Sequence, residues 1–255
     1  MIDWHFNPDF RGREAERLFG TLPGTFAVRG ERLSGSTLST VERTEADGTR
    51  YYVKRYVGNG DSPADRWFGL RGLIAPQRIV GEWRNLLRFQ SWDIPTARIV
   101  AYGTERRFGY FIRGALVTEE IRNTSDLARL AREHDPRLSD RAWLAEVSRQ
   151  LARHMRTMHG LGFTHNDLKW RNILVDDAMP PTVWLIDCPA GRFWWKIFRP
   201  YRENKDLACL GIRADGVVPR TRQIRFYLDY VGRRHLNEAD KKRIRWIAGY
   251  IRNKD

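Results

Sequence analysis

A carboxylate, an ammonium and a carboxamide stand within one eight-residue stretch, His165-Asn166-Asp167-Leu168-Lys169-Trp170-Arg171-Asn172. The stretch lies between an apolar helical pattern that ends near Gly160-Leu161-Gly162 and a β-like run, Ile173-Leu174-Val175. The pattern H-x-D-L-K-x-x-N at such a junction suits phosphoryl transfer to a hydroxyl. Asp167 would accept or orient the hydroxyl proton. Lys169, two residues on, would touch the phosphoryl group in flight. Asn172, after one tight loop, would offer its amide oxygen to a metal ion. A second apolar run, Val183-Trp184-Leu185-Ile186, ends in Asp187, fifteen residues after Asn172. A strand there would deliver a carboxylate to Mg2+, which favours oxygen ligands and keeps several waters.

The run from Met158 to Asp187 resembles the lipopolysaccharide kinases of Gram-negative bacteria (the Kdo/WaaP type), which have protein-kinase-like folds. The likeness extends from about Lys54 to Asp206. It implies ATP and Mg2+ as cofactors, Asp167 and Lys169 as catalytic groups, and Asn172 and Asp187 as metal ligands. In kinase-like folds an Asp at the place of Asp206 ties the catalytic-loop backbone down. His165 is expected to prop the loop. The usual Asp-Phe-Gly is here Asp187-Cys188-Pro189, which keeps only the metal-binding half. Only nineteen residues run from Asp187 to Asp206, without an Ala-Pro-Glu anchor. That is too short for a platform that holds an extended peptide, so a small or lipid-linked acceptor is expected.

The positioning elements lie upstream. Lys54 follows Tyr51-Tyr52-Val53 and is the only Lys in the first 168 residues, where Arg is used freely. A compact ammonium suits the point charge that bridges nucleotide phosphates. Glu82 is the only acid between Asp65 and Asp93. It fits the ion pair that positions such a lysine, with Arg78 on the same helix as the competing partner. Ser34-Gly35-Ser36-Thr37 occupies the place of a glycine-rich phosphate loop, although one Gly makes it a poor match. Backbone groups from Glu119 to Ile121 resemble the hinge that pairs with an adenine edge.

These pieces predict an α+β, bilobal protein-kinase-like fold. Residues 1–120 form an N-terminal lobe that clamps the nucleotide, with a five-stranded antiparallel sheet and one helix. Residues 121–255 form a mainly helical lobe with the catalytic loop, metal site and acceptor site. Residues 1–25 read as a loose lead-in with a short helix near 12–19. Strands are expected at 27–33, 38–44, 50–57, 97–103 and 109–117, with Asp47-Gly48 as a hairpin turn. Residues 62–72 read as loop, and a helix is expected from Pro76 to about Trp92. Helices should follow at 126–134, from a Ser139 or Asp140 cap to Met158, and at 219–232 and 238–252. The long one carries Trp143, Leu144, Val147, Leu151, Met155 and Met158 on one stripe; His154 and His159 are expected as core or capping residues.

The chain is 42% hydrophobic with a formal charge of +14, so it can bury a core and calls for an acidic partner. Half of the excess lies in the last 43 residues. Anionic glycolipid of the lipopolysaccharide core and the anionic inner-membrane surface are the expected partners; nucleic acid is not. In 192–202 four cations alternate with five aromatics, which suits a membrane interface or a core-facing segment with snorkelling Arg. The first residues lack an apolar signal segment, and Cys188 and Cys209 form no disulfide scaffold. A cytoplasmic protein, peripheral at the inner membrane, is expected. The activity expected is ATP-dependent phosphorylation of a heptose or Kdo hydroxyl. Its rivals are a small-molecule kinase of the aminoglycoside or choline type and a catalytically dead lipid-binding scaffold.

Overall fold

The computed structural model describes residues 1–36, 38–58 and 78–253. Thr37, the expected loop at 62–72 and the expected helix start at Pro76 lie outside them. The chain divides into two compact units: Met1–Leu87 with Ala97–Arg122, and Arg88–Thr96 with Asn123–Asp255.

The first unit holds β1 (Ile2–Phe6), α1 (Glu14–Phe19), α2 (Leu22–Ala27), β2 (Glu31–Gly35), β3 (Ser39–Ala46) and β4 (Thr49–Val57). It also holds most of α3 (Arg78–Ser91), then β5 (Ile99–Arg107) and β6 (Tyr110–Glu119). The strands make one antiparallel sheet, ordered β1-β5-β6-β4-β3-β2. Six strands replace the expected five because the lead-in is not loose: Ile2 to Phe6 pair with Glu105 to Ala101. The approach is close enough that a Cβ on Gly103 would collide with the Asp3 carbonyl oxygen. Ala27 ends a helix rather than opening a strand. Thr21 caps that helix, its hydroxyl accepting from the Gly24 amide at 3.1 Å. Phe10, Ala15 and Phe19 from the lead-in pack on Tyr51, Val53, Val100 and Val117. This lead-in supplies a third layer of core that its Gly and Pro content hides.

The second unit holds β7 (Thr124–Asp126), α4 (Leu127–Arg132), α5 (Arg141–Gly160), β8 (Phe163–Thr164), β9 (Ile173–Asp176), β10 (Val183–Leu185) and β11 (Arg192–Phe193). It closes with α6 (Arg199–Gly211), α7 (Arg220–Val231) and α8 (Glu238–Arg252). The whole expected stripe of α5 is buried, and Asp140 caps it by accepting from the Ala142 and Trp143 amides. Such a cap contributes about 1 kcal/mol. Asn237 and Asp240 form a capping box on α8. Among the described residues no helix is long and apolar enough to cross a membrane.

Candidate active site

In the first unit, Lys54 sits on β4 between Val41 of β3 and Leu116 of β6. Its Nζ lies 2.6 Å from Glu82 Oε1 on α3. The Glu82 side chain is only 4% exposed and that of Lys54 20%, so the pair is largely shielded from screening. Glu82 thus meets the lysine of the neighbouring strand, as its isolation in an Arg-rich helix predicts.

The phosphate-loop residues stand differently from expectation. Ser34 and Gly35 belong to β2, opposite Val41 and Thr40, with a register shift after Arg32. Of these three, Ser36 alone lies beyond the strand. Its hydroxyl accepts from the Leu38 and Ser39 amides at 3.3 and 3.2 Å, and its own amide donates to the Ser39 carbonyl at 2.7 Å. The amides of Ser36, Leu38 and Ser39 are thus satisfied locally. Glu119 closes β6 opposite Tyr51, and its amide donates to the Arg98 carbonyl at 3.0 Å. Ile121 follows two residues later, within the same unit.

In the second unit the catalytic stretch is built around Asp206 on α6, 1% exposed. Its carboxylate accepts from the backbone amides of His165 and Asn166 at 2.7 and 2.8 Å. His159 Nε2 lies 3.3 Å away, and its Nδ1 lies 2.8 Å from the Tyr230 hydroxyl. Burial pushes the Tyr230 phenol up to about 12, so it stays protonated. Charge-assisted bonds from two successive amides fix the bend that turns the chain from β8 into the loop.

His165 is wholly buried, 5.9 Å from the parallel ring of Phe89, and neither ring nitrogen has a hydrogen-bond partner among the described residues. Burial lowers its pKa, outweighing the pull of the Asp206, Asp167 and Asp187 carboxylates. The imidazole is thus sequestered against Phe89, away from solvent. His154 and His159 are buried too, in the core and at Asp206 respectively.

Asp167 comes next. Its Oδ1 lies 2.6 Å from Lys169 Nζ, and its Oδ2 lies 3.7 Å from the Arg171 guanidinium. Asn172 donates from its amide nitrogen to the Asp167 carbonyl at 2.9 Å. With the nitrogen so used, the amide oxygen is the atom left for a cation. The Asn172 carbonyl accepts from the Ile186 amide at 3.0 Å, which ties the residue before Asp187 to Asn172. One carboxylate and one amide oxygen, both hard donors, fit Mg2+. Asp187 itself has φ of 57°, a left-handed conformation in which a non-glycine residue is strained.

Two contributors were not evident from the loop pattern. Arg171 fills an unspecified position, yet the short 3-10 turn Trp170–Asn172 swings it toward Asp167. Asn166, at φ of 62°, donates to the Ala190 carbonyl at 2.8 Å, while its amide oxygen accepts from Thr164 Oγ1 at 3.1 Å. The aptitude of Asn for left-handed backbone was the one signal in the sequence. Cys188 is fully buried with its Sγ 3.7 Å from the His165 carbonyl, which fits a packing role rather than an exposed thiol switch.

A family model described as the lipopolysaccharide kinase (Kdo/WaaP) family matches residues 27–245. A 3-deoxy-D-manno-octulosonic acid kinase of Actinobacillus succinogenes is 31% identical over 145 residues, 53% of this chain and 58% of that one. The chain thus spans little more than half of that relative. The corresponding kinase of Haemophilus influenzae is 29% identical over 74% of this chain and 80% of its own. The lipopolysaccharide core heptose(I) kinase WaaP of Pseudomonas aeruginosa is 28% identical over 82% and 81%. A solved structure of WaaP in complex with acyl carrier protein superposes with a TM-score of 0.71 at 24% identity, covering 98% of each chain. That likeness bears out the kinase-like α+β fold.

Proposed function

The chain belongs to the lipopolysaccharide kinase (Kdo/WaaP) family, and on that premise we propose that it transfers a phosphoryl group from ATP to a sugar hydroxyl, of heptose or Kdo, in the lipopolysaccharide inner core. The observation that carries the proposal is the loop around Asp167. A carboxylate whose side chain is 24% exposed stands 2.6 Å from an ammonium, on a backbone pinned by Asp206.

The roles follow from what each group can do. Asp167 orients the acceptor hydroxyl and takes its proton. Lys169, half-exposed, offers its charge to the phosphoryl group as negative charge spreads over the equatorial oxygens. Arg171 adds a second cation beside the same carboxylate. Asn172 and Asp187 would hold Mg2+, which when bound neutralises the nucleotide phosphates. Lys54, held by Glu82, would orient those phosphates, and Ser34, Gly35 and Ser36 at the end of β2 would contribute the loop over them. The backbone at Glu119 and Ile121 would read the adenine edge. The first unit on this view grips nucleotide, and the second carries out transfer. Because the acceptor is lipid-linked, the reaction belongs at the cytoplasmic face of the inner membrane.

The test uses purified full-length chain, ATP, Mg2+ and delipidated core oligosaccharide, with the product read by mass spectrometry. A phosphate gained on heptose or Kdo is expected. ATP consumption with no phosphate on either sugar would sink the proposal.

A further inference from the structure

We propose that the turn at 195–198, with the face of α8 beside it, docks this chain on an anionic lipid surface. The proposal deepens the lipid-linked-acceptor reading above and rests on it.

The segment after Asp187 was equally compatible with a core-facing role, and the structure turns it outward. Trp195 is 83% exposed and Ile197 81%, with Phe193, Phe198 and Tyr201 also exposed. Large apolar side chains so fully in water, and adjacent, mark a surface made for contact. The turn is ordered: the Phe198 amide donates to the Trp195 carbonyl at 2.9 Å, which lifts Lys196 and Ile197 to its tip. Tyr201 meets Trp246 of α8 edge to face at 5.8 Å. The patch therefore continues onto α8, where Lys242, four residues before Trp246, is exposed on the same face, and Arg245 is exposed beside it.

Charge selects the occupant. Between Asp187 and Asp215 stand six basic residues and two acids. Both acids are spent inward, Glu203 on Arg243 at 3.1 Å and Asp206 on the loop amides. The outward charge is thus uncompensated. A second copy of the chain would present the same positive face and be repelled. Tryptophan, tyrosine and isoleucine with flanking Lys and Arg are what a headgroup boundary accepts, the rings at the acyl edge and the cations among lipid phosphates. The turn is also tied to the catalytic stretch. Trp194 Nε1 donates to Thr164 Oγ1 at 2.8 Å, and β11 pairs with β8 through Arg192–Thr164 and Phe193–Phe163. A docked turn therefore fixes the height of Asp167 above the lipid surface, where a core sugar stands on its lipid anchor.

The experiment is co-sedimentation of the full chain with vesicles of phosphatidylethanolamine and phosphatidylglycerol, or of phosphatidylcholine alone. It is paired with phosphoryl transfer to delipidated core oligosaccharide. Wild type should partition onto the anionic vesicles in a salt-sensitive way. The double variant Trp195→Ser/Ile197→Ser should lose about tenfold or more of that partition, with unchanged thermal unfolding and unchanged transfer to the soluble acceptor. Lys196→Glu should weaken partition alone and flatten its salt dependence. Equal partition of wild type and the double variant overturns the proposal, and so does indifference to lipid charge. Self-association of wild type that the double variant abolishes, without vesicle binding, gives the face to a second copy and likewise overturns it. Partition lost in the variant while neither protein phosphorylates the soluble core leaves docking standing and removes the kinase reading instead.

Discussion

The side-chain amide of Asn166 donates to the main-chain carbonyl of Ala190 at 2.8 Å. It joins the residue before the proposed base to the segment that follows Asp187. Asn166→Ala removes this tie and places a residue with a Cβ and no local hydrogen bond at φ of 62°. The expected result is a loss of about 1 kcal/mol in stability and a fall in kcat of roughly tenfold, with nucleotide affinity intact. Denaturant titration and single-turnover kinetics measure the two. Unchanged turnover would reduce the tie to local packing.

Asp167→Asn should bind ATP·Mg2+ almost as wild type does and lose about 10²–10⁴-fold in turnover. Asn is nearly isosteric, and the loop backbone is held by Asp206 rather than by Asp167. Asp187→Asn is the contrast: a neutral amide cannot balance a divalent ion, so Mg2+-dependent nucleotide binding should go with activity. Calorimetry separates the pair. Lost affinity in the Asp167 variant with surviving chemistry would exchange the two roles.

Lys54→Arg keeps the charge beside Glu82, yet a planar fork cannot take the place of an ammonium 2.6 Å from the carboxylate on a strand packed from both sides. Turnover should drop about 10²-fold. Lys54→Met leaves a buried carboxylate without this partner and should cost about 3 kcal/mol of stability as well. Wild-type activity in the arginine variant would remove Lys54 from the phosphate site.

Stability should decline on the acid side because two imidazoles are buried. Burial lowers the pKa of His154 to about 4, and lowers that of His165 as well. The unfolded chain therefore takes up protons near 6.5 while the folded chain resists. This contribution is fully present above about pH 6.5 and is lost as pH falls toward about 4, at roughly 3 kcal/mol for His154 alone. His154→Leu should flatten that limb in urea titrations run from pH 7 to 4. A limb of wild-type steepness would place the acid sensitivity elsewhere.

The loop, its strand partners and the long helix were legible because their side chains repeat with clear periods or stand in fixed spacing. The α5 stripe, a cap at Ser139 or Asp140, and the meeting of Lys54 with Glu82 follow from such local rules, whereas Asp206 at the loop backbone was implied by the likeness to kinase-like folds. The lead-in was not legible. Ile2 to Phe6 owes its strand state to pairing with β5, a partner about a hundred residues away, and Gly and Pro nearby pointed to loop. The outward face of 192–202 was undecided for a related reason. Alternating cations and aromatics look alike whether the rings or the charges face water, and only neighbours decide.

The pairing of β1 also sets the colloidal behaviour of the chain. The far edge of the sheet, β2, is short, charged at Glu31 and Arg32, and interrupted by a register shift, so it templates little. The other edge would be β5, whose Ile99, Val100 and Ala101 are buried apolar residues on a nine-residue strand. Strand β1 covers it. Removing the residues before Asn7 would bare a long, apolar row of amides and carbonyls, and strand addition between molecules would then precipitate the protein while every group around Asp167 remained in place.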